Sequence, residues 1–108
     1  DLAPDLDQAL RALADANRRT ILTVVRSRPL SVGQIAQETG LSQKTTSHHL
    51  RVLRSAALVS DTWTGTSHLF AVNTDGLAAV RAYLDEFWPG KLTALKAAVE
   101  SRKGKQDD

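Results

Sequence analysis

The stretch LSQKTTSHHLRVLR, residues 41–54, contains the side chains of this chain that are best suited to chemistry or binding. His48 and His49 are adjacent, hydroxyl side chains precede them, and Arg51 and Arg54 follow. Imidazoles can hold a metal ion or transfer a proton, whereas a mixture of basic and hydroxyl groups can bind a polyanion. The spacing of these residues discriminates between the two kinds of site.

The histidine pair is poorly placed for a metal ion or for catalysis. Consecutive residues of an α-helix point about 100° apart, so the rings of His48 and His49 diverge. A helical metal pair is spaced three or four residues apart, and neither histidine has such a partner. Adjacent Asp85 and Glu86 diverge for the same reason, and the chain contains no nucleophile elbow or plausible triad context. We therefore expect no metal, no cofactor and no enzymatic activity.

On a helical wheel this stretch has two different sides. With Gln43 set at zero, Thr46, Leu50 and Leu53 lie between roughly 280° and 340° and face the core. His49 borders that arc, and we predict that it is a hydrogen-bonded packing residue. The other side is polar and carries donors suited to base edges and phosphates. The predicted DNA-binding residues are Gln43, Lys44, Ser47, His48, Arg51 and Arg54.

Composition limits the class of protein. A chain of 108 residues with 42% hydrophobic residues predicts one domain with a small core. The absence of cysteine excludes disulfides, thiolate metal sites and cysteine nucleophiles, and it is compatible with a reducing compartment. No apolar run approaches the roughly 18 residues that span a bilayer, and no signal peptide is visible. The expectation is a cytoplasmic protein that makes no membrane contact.

The charges are distributed unevenly along the chain. Residues 11–60 contain eight basic and two acidic residues, a net charge of +6, and the remainder contains six basic and ten acidic ones, a net charge of −4. This distribution favours a polyanion-binding face in the first half of the chain. The alternative is an ordinary solvated charge pattern.

The elements before residue 41 are predicted to be helices. Leu6, Leu10 and Leu13 repeat at helical spacing, which indicates an amphipathic first helix. Asp15 is placed to cap a second helix, and Pro29 lies just beyond its end.

Two short helices joined by a tight turn follow. Ser31 and Gln34 match a capping box that begins a third helix, and Gly40 closes it. Ser42 caps the fourth helix after a turn of only two or three residues. Two short helices joined in this way are typical of a helix-turn-helix.

The spacing of the apolar residues along the sequence changes after the fourth helix. LVSDTWTGTSHLFAV, residues 58–72, predicts a two-stranded hairpin divided at Thr64-Gly65. A further helix begins at residues 73–75, and Pro89-Gly90 must kink or break it. A last segment has Leu92, Leu95 and Val99 on one face, and residues 101–108 are predicted to be disordered.

The segments ALADANRRTILTVV and PLSVGQIAQETGLSQKTTSHHLRVLRSAALV, with the hairpin after them, resemble the ArsR-type winged helix-turn-helix repressors. The resemblance covers about residues 10–73 in order and without gaps. Residues 83–100 look like the C-terminal helical extension of a cysteine-less branch of that family.

The resemblance implies a mainly α fold with a small β-hairpin. Residues 1–100 would form a single winged helix-turn-helix domain, with the recognition helix at about 42–55 and the wing at about 58–72. C-terminal dimerisation helices would follow at about 75–100, and residues 101–108 would form the tail.

It also implies a homodimer that presents two recognition helices to a pseudo-palindromic operator in double-stranded DNA and represses transcription until an effector weakens binding. By position, Gln43, Lys44, Ser47 and His48 would contact bases and Arg51 a phosphate. The implied dimer interface contains Leu6, Leu10, Leu84, Phe87, Trp88, Leu92 and Leu95.

Three departures from the family pattern change these expectations. The chain has no cysteine and its last helices have no histidine, so metal sensing is not implied. Asp61, Thr62, Thr66 and Ser67 stand where the family often has arginine, which leaves the wing nearly uncharged. Ala57 stands where the family commonly has glycine, and a left-handed alanine costs about 1 kcal/mol.

Several alternatives stay open from the sequence. Trp63, His68 and Phe70 could contact a minor groove or cover one another across the hairpin. Phe87 and Trp88 could line the pocket of an unidentified effector or fill the dimer interface. The alternative functions are a winged-helix module that binds an acidic protein, and a metal-responsive repressor that uses His68 with carboxylates.

Overall fold

A computed structural model of the protein describes residues 5–89 and residue 99. In this part of the chain the helices and strands follow the order of a winged helix-turn-helix domain. They are α1 (Leu6–Leu13), α2 (Ala16–Val25), β1 (Leu30–Ser31), α3 (Val32–Thr39), α4 (Gln43–Ser55), β2 (Val59–Thr64), β3 (Ser67–Val72) and α5 (Thr74–Asp85).

The predicted helix starts are confirmed by their hydrogen bonds. The Asp15 carboxylate accepts from two backbone N–H groups in the first turn of α2, at 2.8 and 3.1 Å. Ser31 and Gln34 form both bonds of the capping box of α3, and Ser42 Oγ accepts from the Thr45 N–H of α4 at 3.0 Å. These side chains satisfy N–H groups that a helix end leaves without partners, and they fix the residues at which α2, α3 and α4 begin.

The predicted hairpin is present, and a short strand extends it into a three-stranded antiparallel sheet. The strand order is β1-β3-β2, with Leu30 opposite Phe70. β1 contains two residues and is too short to show an alternating pattern, which is why the sequence predicted two strands. Gly65, the first residue of the hairpin turn, has a φ of 62°, a conformation that glycine adopts without steric cost.

The core lies between α2, α3, α4 and the sheet. Its largest fully buried side chains include Ile21, Leu30 and Ile35 from the first half of the domain. α4 contributes Thr46, Leu50 and Leu53, each at most 1% exposed. The inward arc predicted for the fourth helix is therefore confirmed.

α4 ends in a left-handed turn. The Ala57 N–H donates to Arg54 O at 3.0 Å and the Leu58 N–H to Leu53 O at 2.9 Å, the pair of bonds that defines a Schellman motif. Ala57 has a φ of 59°, so the left-handed backbone expected at this position is present.

α5 is packed directly against this turn. The Gly76 N–H donates to Ala57 O at 2.8 Å. A Cβ on Gly76 would lie 2.6 Å from Ala56 O, closer than side chains come to backbone oxygen, so glycine is required for this approach. The position of α5 is thereby tied to the end of α4.

α5 ends before the proline that was predicted to interrupt it. Its last helical residue is Asp85, and the N–H groups of Glu86, Phe87 and Trp88 each bond to a carbonyl three residues back. The predicted interface residues Leu92 and Leu95 and the predicted tail 101–108 lie outside the described residues. Within the described ranges, no helix has the length and apolar character needed to cross a membrane.

Candidate nucleic-acid interface

One side of α4 is polar and faces solvent. Gln43, Lys44, His48 and Arg51 are exposed on it, and half-buried Ser47 and exposed Arg54 complete the set. The buried side of the same helix holds it against the core, so this polar surface, called here the α4 face, is presented rigidly. All six predicted DNA-binding residues therefore lie together.

The cations of the α4 face differ in their partners. Among the residues that the structure describes, the ion pairs involve neither Lys44 nor Arg51. Arg54 is different, because its Nη1 lies 3.0 Å from Asp61 Oδ2 on β2 while its side chain is 52% exposed. Lys44 and Arg51 are thus available to phosphates, and Arg54 is held by the hairpin.

Asp61 has a second partner on the neighbouring strand. The His68 Nε2–H donates to Asp61 Oδ2 at 2.6 Å. This hydrogen bond is the main cause that lowers the pKa of Asp61 below its ordinary value; Arg54 lowers it further and partial burial opposes both. Asp61 is therefore an ionised carboxylate at neutral pH, and it joins α4 to β3.

The aromatic side chains of the hairpin cover one another. The Trp63 and His68 rings stack with centroids 4.5 Å apart and an interplanar angle of 3°, and His68 and Phe70 lie 4.6 Å apart. The packing interpretation of these residues is confirmed. Trp63 nevertheless remains 65% exposed, so one face of its indole is free to meet a partner.

A cleft separates the α4 face from the hairpin. It has a volume of about 220 Å³. Its polar lining consists of Ser47, Arg51, Arg54 and His68. Two guanidinium groups and an imidazole at one cleft suit an anion such as a backbone phosphate.

His49 belongs to the core. It is 7% exposed, and its Nδ1 lies 3.3 Å from Arg18 Nη1. Burial lowers the pKa of His49; the Asp15 carboxylate opposes this shift, and Arg18 and His48 add to it. The ring is thus neutral and its Nδ1 accepts from Arg18, which confirms the prediction of a hydrogen-bonded packing residue.

The described residues do not bring metal-binding groups together. The rings of His48 and His49 are tilted by 51° with centroids 5.5 Å apart. No group of three His, Asp or Glu side chains in residues 5–89 and 99 is placed to hold a metal ion.

Part of the basic first half stabilises the fold instead of facing a partner. Arg18 Nε donates to Ala12 O and Arg19 Nη1 to Leu13 O, both at 2.7 Å, so these two arginines cap the C-terminal end of α1. This role was not predicted, because both charges were counted toward a polyanion-binding face. The signal in the sequence is a basic pair a few residues after the last apolar residue of α1.

Large apolar side chains are exposed on α1 and at the end of α5, two helices that contact each other. Leu10 of α1 and Leu84, Phe87 and Trp88 at the end of α5 are exposed, the last two at 61%. Tyr83, which was not predicted, is also exposed and packs edge-on against Phe87 with centroids 4.9 Å apart. Leu6 is half-buried. We call these six residues the terminal face.

The fold and the α4 face together define a winged helix-turn-helix regulator of the DNA-binding class. The model of the bacterial regulatory protein arsR family matches residues 8–61, half of the chain. The chain belongs to this family, and it is a DNA-binding transcriptional regulator and not an enzyme.

Two curated relatives agree with this assignment. The chain is 40% identical over 95 residues to the HTH-type transcriptional regulator Rv2034 of Mycobacterium tuberculosis, covering 88% of this chain and 89% of that protein. It is 30% identical over 69 residues to the transcriptional repressor SdpR of Bacillus subtilis, covering 64% of this chain and 77% of that protein.

Solved structures show the same fold. An ArsR-like transcriptional regulator from Rhodococcus sp. RHA1 superimposes with a TM-score of 0.73 and 25% identity, covering 89% of this chain and 91% of that one. The homodimeric winged helix-turn-helix DNA-binding domain of a possible ArsR-family regulator from Mycobacterium bovis has a TM-score of 0.62 and 29% identity, covering 75% and 79%.

Proposed function

We propose that the protein is a homodimeric repressor that binds a pseudo-palindromic operator through the α4 face. The observation that carries this proposal is the combination on one helix of a fully buried apolar side and an exposed polar side, with two cations that form no ion pair among the described residues. A protein surface that bears cations, amides and hydroxyls together matches the mixed pattern of phosphates and base edges in a major groove.

The roles proposed for the residues of the α4 face follow from their chemistry. Gln43, Lys44, Ser47 and His48 read base edges, because they occupy the first turns of the helix, the part that enters a major groove most deeply. Lys44, as a cation, also neutralises a neighbouring phosphate. Arg51 contacts a phosphate. Arg54 is held at the hairpin by Asp61 and therefore lies at the margin of the contact.

The terminal face supports the proposed dimer. Isolated exposed apolar residues are common, but several large ones on adjoining helices mark an interface. The domain from Mycobacterium bovis is described as homodimeric, and SdpR of Bacillus subtilis is described as a repressor. By analogy, this chain would dimerise through Leu10, Leu84, Phe87 and Trp88 and act in the cytoplasm, where the bacterial chromosome lies.

The proposal is tested by selecting bound fragments from a genomic or random-sequence DNA pool and measuring their affinity. Fluorescence anisotropy should show one dimer per selected site, an affinity that falls steeply with salt, and weaker binding to scrambled DNA of equal length. Sedimentation equilibrium of the free protein should give the mass of two chains. Binding that does not discriminate the selected sequence from the scrambled one would contradict the proposal.

A further inference from the structure

The inward face of the hairpin extends past the point where it contacts α4. Every second side chain of β2 lies on the same side of the strand, which places Val59, Asp61 and Trp63 together. This side contains buried Val59 and makes the contact with Arg54. Across the hairpin, Phe70 is opposite Asp61 and His68 is opposite Trp63. Trp63 therefore faces the same side as Asp61, farther from the core.

Four side chains on this face form an unbroken series of contacts from α4 toward the tip of the hairpin. Arg54 lies 3.0 Å from Asp61, Asp61 lies 2.6 Å from His68, and the His68 ring stacks on Trp63 with centroids 4.5 Å apart. The carboxylate is the central member. With its side chain 24% exposed it is partly shielded from water, which strengthens both of its charge-assisted bonds.

We propose that Asp61 is a positioning residue for DNA binding, whose carboxylate fixes the hairpin against α4 so that Trp63 supplies the contact of the wing with the DNA backbone. This inference rests on the proposed function, since it assumes that the α4 face binds DNA. Asp61 itself does not touch DNA and acts through Arg54 and His68.

The composition of the hairpin favours an aromatic contact. Residues 58–72 contain no lysine or arginine, so ionic attraction of phosphates by the wing is weak. An exposed indole offers an apolar face to a deoxyribose and an N–H donor to a phosphate oxygen. Such a contact adds affinity without releasing counterions, and it leaves the salt dependence of binding unchanged.

The direction in which Asp61→Asn changes the affinity for DNA distinguishes a positioning role of Asp61 from simple repulsion between its charge and the DNA. If Asp61 were only a negative charge near a polyanion, its removal would tighten DNA binding. As a positioning residue, Asp61→Asn weakens binding by about two- to fivefold, the range of a partly exposed ion pair. The charge control is Glu38→Gln, which removes a carboxylate that pairs with Arg28 and not with a residue of the hairpin, and it should not weaken binding.

Two further variants show whether the effect passes through the proposed partners. Trp63→Ala should weaken binding with an unchanged salt slope. In the double variant Arg54→Ala/Asp61→Asn, the loss should be smaller than the sum of the two single losses, because both changes break the same contact. Additive losses, or Asp61→Asn binding as tightly as the wild type or more tightly, would overturn the inference.

A measurement without DNA keeps this test separate from the proposed function. In a Trp88→Phe background Trp63 is the single tryptophan, and Asp61→Asn should make its fluorescence more accessible to acrylamide because His68 is released. Unchanged quenching would refute the positioning role even if the wild type binds DNA. If quenching increased in Asp61→Asn but the wild type bound no DNA, the proposed function would be refuted, and with it the role of Trp63. Asp61 would still be the group that orders the hairpin.

Discussion

At the scale of single residues, Ala57 is strained in a way that can be relieved. Its φ of 59° lies in the left-handed region, where an alanine Cβ crowds the following carbonyl and costs about 1 kcal/mol or more. We expect Ala57→Gly to raise the melting temperature by roughly 4 °C. The rise is smaller than the full strain energy alone would give, because glycine also increases the conformational entropy of the unfolded chain. Thermal unfolding followed by circular dichroism measures this change.

Ala14→Gly is the matched control for Ala57→Gly. Ala14 also follows a helix end, but its φ is −74°, a conformation in which alanine is unstrained. The control should lower the melting temperature or leave it unchanged. An equal rise in both variants would mean that the left-handed backbone is not the cause.

His49 should make the stability of the protein depend on pH. Because burial lowers the pKa of the folded-state imidazole below its ordinary value of 6.5, the unfolded chain binds a proton more readily than the folded one. The free energy of unfolding is therefore highest above pH 6.5 and falls as the pH drops from 6.5 toward the lower pKa of the folded state. The pKa values of Asp15 and Asp61 lie below 3.8, so neither carboxylate titrates in this window.

Urea denaturation at pH 7.5 and pH 5.5 tests the role of His49. Wild type should lose stability between these conditions, and His49→Gln should lose less, whatever its absolute stability. His48→Gln retains the buried ring and should keep the dependence of the wild type. If His49→Gln lost as much stability between the two pH values as the wild type does, another group would be responsible for the pH dependence.

At the scale of elements, much of the fold could be predicted because its signals are local. Asp15, Ser31 and Ser42 cap helices through bonds to residues two or three positions away. The two sides of α4 follow from the fixed rotation per residue of a helix. Such features depend on neighbouring residues, which a sequence places together.

The features that the sequence did not reveal depend on contacts between distant residues. Arg54 was predicted to bind DNA, and its pairing with Asp61 on the first strand of the hairpin was not foreseen. Gly76 was not singled out, because its role is to let α5 approach the last turn of α4. The pattern of a single segment carries no information about such contacts.

The α4 face gives a prediction that distinguishes affinity from specificity. We expect Lys44→Ala and Arg51→Ala to weaken operator binding and to reduce the slope of log affinity against log salt by about 0.9 for each phosphate that is no longer neutralised. Gln43→Ala and Ser47→Ala should instead change which base pairs are preferred, with little change in slope. Anisotropy titrations over a range of salt concentrations, on the selected site and on single-base variants, measure both quantities.

Arg26→Ala is the control for charge alone. Arg26 is exposed, but it borders a groove formed with Leu22, Val72 and Leu77, which no residue of the α4 face lines. Its removal changes the net charge by the same amount and should leave the slope close to that of the wild type. Unchanged slopes in both Lys44→Ala and Arg51→Ala would show that neither residue contacts a phosphate.

At the scale of the whole molecule, the contact of α5 with the turn that follows α4 connects the two surfaces of the protein. The Gly76–Ala57 hydrogen bond fixes the N-terminal end of α5 to the end of α4, and the exposed aromatic residues follow the other end of α5. A dimer formed through the terminal face would therefore set the distance and angle between two α4 helices. Half-sites in DNA repeat about 34–36 Å apart, so a rigid connection of this kind can match their spacing.

Disruption of the terminal face should consequently reduce DNA binding without touching the α4 face. We expect Phe87→Ala and Trp88→Ala, each of which removes a ring that is 61% exposed in the single chain, to shift the protein toward monomer in sedimentation equilibrium. Operator affinity should fall at low protein concentration and recover as concentration is raised, because DNA with two half-sites can itself bring two monomers together.

Trp63→Ala, which removes a similarly exposed ring from the hairpin, should stay dimeric. A Phe87→Ala/Trp88→Ala double variant with the wild-type mass would exclude these residues from the dimer interface, and a monomeric double variant with unchanged affinity at every concentration would show that one chain suffices to bind the operator.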